Sequence, residues 1–136
     1  RICDMTTRAD DTLAIVALVQ AIMGKLYLLY RRNLAFRDYS RELIEENKWR
    51  AVRYGLDGQL IDFGKREQVP TRELIKELVE FCSEAIDIFQ SHEEIDRIYG
   101  ILRDGTSADR QLRLYDETKN FQTVVDDLIA QSNVLP

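Results

Sequence analysis

Seven consecutive apolar residues, Leu13-Ala14-Ile15-Val16-Ala17-Leu18-Val19, set the strongest constraint on this chain. A helix that is apolar on every face is driven inside a bundle or inside a membrane. Spanning a bilayer takes about 20 apolar residues. Here Gln20, Gly24 and Lys25 interrupt the run, and Asp10-Asp11 make its N-terminal flank acidic. The pattern therefore predicts a central core helix over residues 9–32. Thr7-Arg8-Ala9-Asp10 has capping-box form ahead of it. Asp10 and Asp11 suit the positive end of the helix dipole, and Arg31, Arg32 and Asn33 suit the other end.

With 45% hydrophobic and 32% charged residues, the 136-residue chain can bury a core, and its length fits one domain. The formal net charge of −5 argues against a general nucleic-acid binder, which needs a basic face to displace counterions. Cys3 and Cys82 lie far apart, and His92 is the single histidine, so this chain alone does not supply a zinc site. Both cysteines read as reduced, buried small hydrophobes of a cytoplasmic protein. No signal-peptide pattern is visible. The chain opens on Arg1 rather than Met, as if cut from something longer.

Residues 1–5 alternate polar and apolar and read as the end of a β-strand whose partners lie elsewhere. Ser40 caps a second helix that Gly55 and Gly58 break. Residues 59–63 and 68–70 read as two short extended arms joined by a turn. Thr71 is expected to cap a third helix reaching residue 89, with Leu74, Leu78, Phe81, Cys82 and Ala85 inward. Ser91-His92-Glu93-Glu94 is another capping box, with His92 facing solvent. It opens a fourth helix that turns Ile95, Ile98, Tyr99 and Leu102 inward. A fifth starts at Thr106 or Ser107 and carries Leu112, Leu114 and Tyr115. A sixth spans residues 121–131, with Val124, Val125, Leu128 and Ile129 inward. The fold class is mainly α, with about six helices and one short β-like hairpin or loop. The acid pairs Asp10-Asp11, Glu45-Glu46, Glu93-Glu94 and Asp126-Asp127 read mostly as first-turn or solvated-face charges. Arg110-Gln111 suits an internal salt bridge or a partner contact equally.

Chemistry concentrates in residues 45–58, where the single Trp, Trp49, sits among Arg, Asn and aromatic side chains. At helical spacing Leu43, Asn47, Arg50 and Tyr54 share one stripe, with Arg53 at its edge. A helix that merely packs would carry apolar residues there. Partly buried Arg needs a carboxylate, a phosphate or carbonyls. The stretch is therefore either a structural ion-pair helix or one wall of an anion-binding site. No P-loop, GxGxxG, nucleophile elbow or HExxH is present.

The order Arg1-x-x-Asp4, long apolar helix, then Glu46-Asn47-Lys48-Trp49-Arg50-Ala51-Val52-Arg53-Tyr54-Gly55-Leu56-Asp57-Gly58 resembles the C-terminal half of the glutamate–cysteine ligase type 2 family. Val69-Pro70-Thr71-Arg72-Glu73-Leu74 and Ile101-Leu102-x-x-Gly105-x-x-Ala108-x-Arg110-Gln111 extend the likeness over nearly the whole chain. The resemblance implies the helical C-terminal part of a glutamine-synthetase-like α+β enzyme, an ATP-dependent carboxylate–amine ligase using Mg²⁺. A carboxylate, typically the γ-carboxylate of glutamate, is activated as an acyl phosphate. An amine, typically that of cysteine, then forms the amide. Arg1 matches the Arg of a Glu-x-Arg strand motif whose metal-binding Glu precedes this chain. The N-terminal half that carries the metal ligands is thus an implied partner, and the piece alone is expected to be inactive.

Within that resemblance, Arg50 and Arg53 are the candidate catalytic residues, facing phosphate or substrate carboxylate. Asn47 and Arg1 are the candidate substrate- or phosphate-binding residues. Arg suits such charge because its donor fork is planar and permanently charged. The rival role for Arg53 is a structural pair with Asp57 or Asp4. Self-association is expected to cover the long helix, and neither nucleic acid nor membrane is expected as a partner. The rival function is a non-catalytic helical protein-interaction domain.

Overall fold

The computed structural model describes residues 6–35 and 38–133. The strand expected at residues 1–5, with Arg1, Cys3 and Asp4, lies outside the described residues. The described elements are α1 (Ala9–Arg31), α2 (Arg41–Tyr54), a 3₁₀ turn (Gly55–Asp57), β1 (Gln59–Asp62), β2 (Glu67–Pro70), α3 (Thr71–Phe81), α4 (Ser83–Phe89), α5 (His92–Asp104), α6 (Ser107–Thr118) and α7 (Phe121–Ser132). The fold is mainly α with one antiparallel hairpin. One helix more than expected arises because residues 71–89 do not form a single rod. Cys82 stands between α3 and α4 at φ −88° and ψ 0°, and its N–H is shared between the carbonyls of Leu78 and Val79.

The chain divides into two compact units, residues 20–90 and residues 1–19 with 91–136. In the first, Ala21, Val69, Val79, Cys82, Ala85 and Ile86 are buried. Gly24 lets α1 lie against α4, since a Cβ there would meet the Phe89 ring at 2.6 Å and Ala85 at 3.3 Å. Lys25 and Arg32 of α1 both reach Glu84 of α4. In the hairpin Leu60 pairs with Val69 and Ile61 with Gln68. The Asp62 carboxylate caps the connecting turn by accepting from the Gly64 and Lys65 N–H groups at 2.7 and 3.0 Å. Those backbone donors, the Lys65 N–H first, hold the Asp62 carboxyl below its ordinary range.

Thr71 is the first residue of α3 rather than its cap. It is buried, and both its N–H and its hydroxyl donate to the Gly58 carbonyl at 3.0 Å. That carbonyl would otherwise be an unpaired acceptor beside the hairpin. The inward stripe on α3 is led by Val79, and Phe81 is turned outward with the Lys25 ammonium over its ring.

In the second unit the core is Ala14 and Ala17 from α1, Ile95, Ile98 and Leu102 from α5, and Val124 from α7. Each of the large aliphatic side chains is worth roughly 1.5–3 kcal/mol when fully buried. Tyr99, Val125 and Ile129, expected inward, are exposed, as is Leu112 of α6. The Thr106 capping box with Asp109 starts α6. The box expected at Thr7 is replaced by a Thr7–Ser107 hydroxyl pair, and the Ser91 hydroxyl makes no cap on α5.

The central-core expectation for α1 holds only for its small residues. Ala14, Ala17 and Ala21 are buried, whereas Val16 is 57%, Met23 63% and Tyr30 77% exposed. A helix apolar all round has gained cover on one side only. By length and composition alone α1 also passes for a membrane span. Its alanine face is packed within the protein, and its Asp11 and Lys25 are ion-paired there.

Candidate functional site

Helix α2 carries three of the four candidate residues on successive turns. Ser40 caps it, accepting from the Leu43 N–H, and none of its residues is fully buried. Asn47 lies beside β1. Its amide nitrogen donates to the Ile61 carbonyl at 2.9 Å, and its amide oxygen accepts from the Ile61 N–H at 2.8 Å. This one side chain therefore satisfies the outer edge of β1 in the way a third strand would. Arg50, one turn on, is half-buried and donates from Nε to Glu46 at 2.7 Å. Lys48 pairs with Glu45 on the solvent side. The expected apolar neighbours Leu43, Ile44, Ala51 and Val52 are exposed, Val52 by 88%.

Arg53 is exposed and makes no ion pair among the described residues. The pairing with Asp57 considered for it is not formed, because Asp57 accepts from Arg72 at 2.8 Å. Just beyond, Gly55 turns the chain at φ +56°, a conformation that favours glycine. Gly58 serves a different need. A Cβ there would stand 2.6 Å from the Tyr54 Cβ, so glycine permits the close approach that aligns the Gly58 carbonyl with Thr71. Trp49 meets Tyr54 edge-on at 5.8 Å between centroids. Arg1 lies outside the described residues.

A second cluster lies in the unit of residues 1–19 and 91–136; sequence left Arg110 open between an internal salt bridge and a partner contact and did not assemble the rest. Arg110 grips both oxygens of Asp127, Nε at 2.8 Å and Nη2 at 2.5 Å. The pair settles Arg110 as an internal salt bridge and takes Asp127 off the solvated face. Arg8 similarly grips Asp10 and donates Nη1 to Gln131 at 3.1 Å. Buried Asp11 accepts from Arg97 at 2.6 Å. Hydrogen bonds from Arg8 and Arg110 hold the Asp10 and Asp127 carboxyls below the ordinary range, and the same bonds raise both guanidinium pKa values. Arg8 and Gln131 lie 123 residues apart and Arg97 and Asp11 86, so helical spacing could not pair them. The one available signal was Asp11, which sits at i−3 and i−6 from the buried Ala14 and Ala17 and hence on the inward face of α1.

Comparison with known proteins assigns the chain to a family. The chain belongs to glutamate–cysteine ligase family 2, whose family profile matches residues 1–127. It is 70% identical over 134 residues to a protein of Sorangium cellulosum (strain So ce56). It is 54% identical over 132 residues to one of Solibacter usitatus (strain Ellin6076), and 51% over 132 residues to one of Herpetosiphon aurantiacus. All three carry the provisional name glutamate–cysteine ligase 2. The alignments cover 98%, 97% and 97% of this chain but 36%, 34% and 34% of the relatives, so the chain spans about a third of their length. No solved structure matches it at a significant level.

Proposed function

We propose that this chain is the helical part of an ATP-dependent carboxylate–amine ligase, within a larger glutamine-synthetase-like fold. Its α2 forms one wall of the site where glutamate is activated and joined to an amine such as that of cysteine. The reading rests on family membership and on one observation. The stretch that carries the family likeness presents Arg53, an exposed guanidinium with no carboxylate partner among the described residues.

When a carboxylate is phosphorylated by ATP, negative charge accumulates on the transferring group and on the oxygen that receives it. A fixed guanidinium is suited to that charge. Arg53 has its whole donor fork available. Arg50 contributes the donors that Glu46 does not engage and is steered by that carboxylate. Asn47 acts one step back, fixing α2 to β1 so that both arginines keep their place. The reading also assigns Arg1 to substrate or phosphate binding. Among the described residues no three of His, Cys, Asp and Glu are gathered to hold a metal ion. These residues do not fit Mg²⁺, and the reading assigns it to acids on the remaining chain.

The test is phosphate release in the full-length protein with ATP, Mg²⁺, glutamate and an amine. Arg53→Lys is expected to lower kcat/KM by roughly a hundredfold, the usual loss on removing one aligned donor from a developing charge. Arg50→Lys is expected to lower it less, since Glu46 already neutralises part of its charge. Normal turnover and substrate affinity in both variants would show that α2 is not at the site. A second reading, a helical interaction domain, draws on the exposed apolar faces of α1 and α2. It requires that neither ATP nor glutamate binds or shifts the melting temperature.

A further inference from the structure

The unit of residues 1–19 and 91–136 forms an open cleft of about 620 Å³ that none of the proposed ligase residues lines. Its wall includes Arg97 of α5, Arg110 and Arg113 of α6, the Thr7 and Ser107 hydroxyls and the Gln131 amide. Two of its guanidiniums are fixed from behind. Arg110 is clamped through Nε and Nη2 to Asp127, and Arg97 is held at 2.6 Å by buried Asp11. A guanidinium carries five N–H donors, so each clamp leaves a free edge on a side chain whose rotamer is already settled. Neither Nη1 donates to any described residue. Binding to such donors loses little side-chain entropy.

Arg113 differs from these two. It forms no ion pair among the described residues, and its Nη2 donates only to the Asp104 carbonyl at 3.2 Å. Five arginines and four carboxylates line the cleft, and Asp10 beside it grips Arg8, so charge is balanced and what the wall offers is unengaged guanidinium edges. Arg113 is the lining guanidinium that no carboxylate grips among the described residues.

The geometry points to a binding site for a small oxyanion, a carboxylate or a phosphate. Arg97 and Arg110 serve as fixed donors, and Arg113 supplies a guanidinium that no carboxylate grips. The inference uses no residue of α2 and does not depend on the ligase reading.

Calorimetric titration of the full-length protein tests it, with inorganic phosphate in one arm and succinate in the other. At least one probe is expected to saturate a single site. Arg113→Gln, an exposed change, is expected to weaken that binding about tenfold, the usual loss of a charge-assisted hydrogen bond. Arg97→Lys keeps the charge but removes the fork and is expected to weaken it as well. Lys76→Gln, an equal charge change away from the cavity, and Arg53→Lys on α2 are expected to leave it unchanged. Saturation in only one arm assigns the ligand to that chemistry. The inference is overturned if neither probe saturates, or if Arg113→Gln and Lys76→Gln have equal effects. It is also overturned if binding survives both cavity variants but is lost in Arg53→Lys. That last result would place the anion on α2 and leave the ligase reading standing.

Discussion

Asn47 shows how a residue legible as special can be special for a structural reason. Its place in the Asn-x-x-Arg-Ala-x-Arg pattern marked it, and spacing put it with Arg50 on one stripe of α2. The partner, the Ile61 backbone 14 residues away, was invisible because strand edges carry no sequence label. Asn47→Ala leaves the Ile61 N–H and carbonyl without their partners. It is expected to cost about 1–3 kcal/mol in chemical unfolding, the usual penalty for orphaned polar groups. Asn47→Asp keeps the acceptor but loses the donor and should fall between. If alanine were neutral, the clamp would not hold α2. Gly58 offers a second check. Alanine there collides with Tyr54 and is expected to destabilise by about 1–3 kcal/mol, as overpacking does. At Gly55 space is open, but φ +56° with ψ −139° lies outside the left-handed helical well, so alanine should cost about 1–3 kcal/mol through backbone strain alone. Arg53 is the converse case. Sequence offered it Asp57 as a partner, and the structure gives Asp57 to Arg72 instead.

At the scale of elements, local chemistry predicted what local chemistry decides. The hairpin arms, the Ser40 cap of α2 and the Thr106 start of α6 are where the residues call for them. Three of the four inward residues expected on α5 are buried. The division at Cys82 was not legible. Phe81-Cys82-Ser83 contains neither Gly nor Pro, and the break reflects how α3 and α4 each bury their own face. The two faces of α1 were indistinguishable in a run that is apolar throughout. Burial separates them, with Ala14, Ala17 and Ala21 inside and Leu13, Val16, Met23, Tyr27 and Tyr30 outside. Exposed apolar surface of that extent promotes association. The chain of residues 1–136 is expected to self-associate as its concentration rises, by analytical ultracentrifugation. Val16→Glu should shift it toward monomer with little change in melting temperature, whereas Ala17→Glu, a charge forced inside, should unfold it. A monodisperse monomer over a wide concentration range would refute the self-association.

For the whole molecule, mainly-α class and family were legible, because a mostly helical chain reveals itself by periodicity and residues 46–58 carry the family likeness. The long-range charge pairing was not, and it governs how stability follows pH. Asp10, Asp62 and Asp127 have carboxyls held below their ordinary range by Arg8, by turn N–H groups and by Arg110. A carboxyl depressed in the folded state adds stability above its unfolded pKa of about 4, and the gain vanishes as pH falls through the folded value. At the alkaline end burial pushes the Cys82 thiol upward. Unfolding then releases a thiol that ionises near its ordinary value of about 8.5, and stability declines above that pH. Melting temperature should therefore be flat near neutrality and fall below about pH 4 and above about pH 8.5. Asp127→Asn isolates one contribution. The Asp127 side chain is 15% exposed and that of Arg110 48%, so solvent screens the pair and its worth is set at about 1 kcal/mol. The variant should melt earlier than the parent at pH 7, and the gap should close toward pH 2. A gap that stayed constant down the acid limb would mean that the Arg110–Asp127 grip contributes through packing rather than charge.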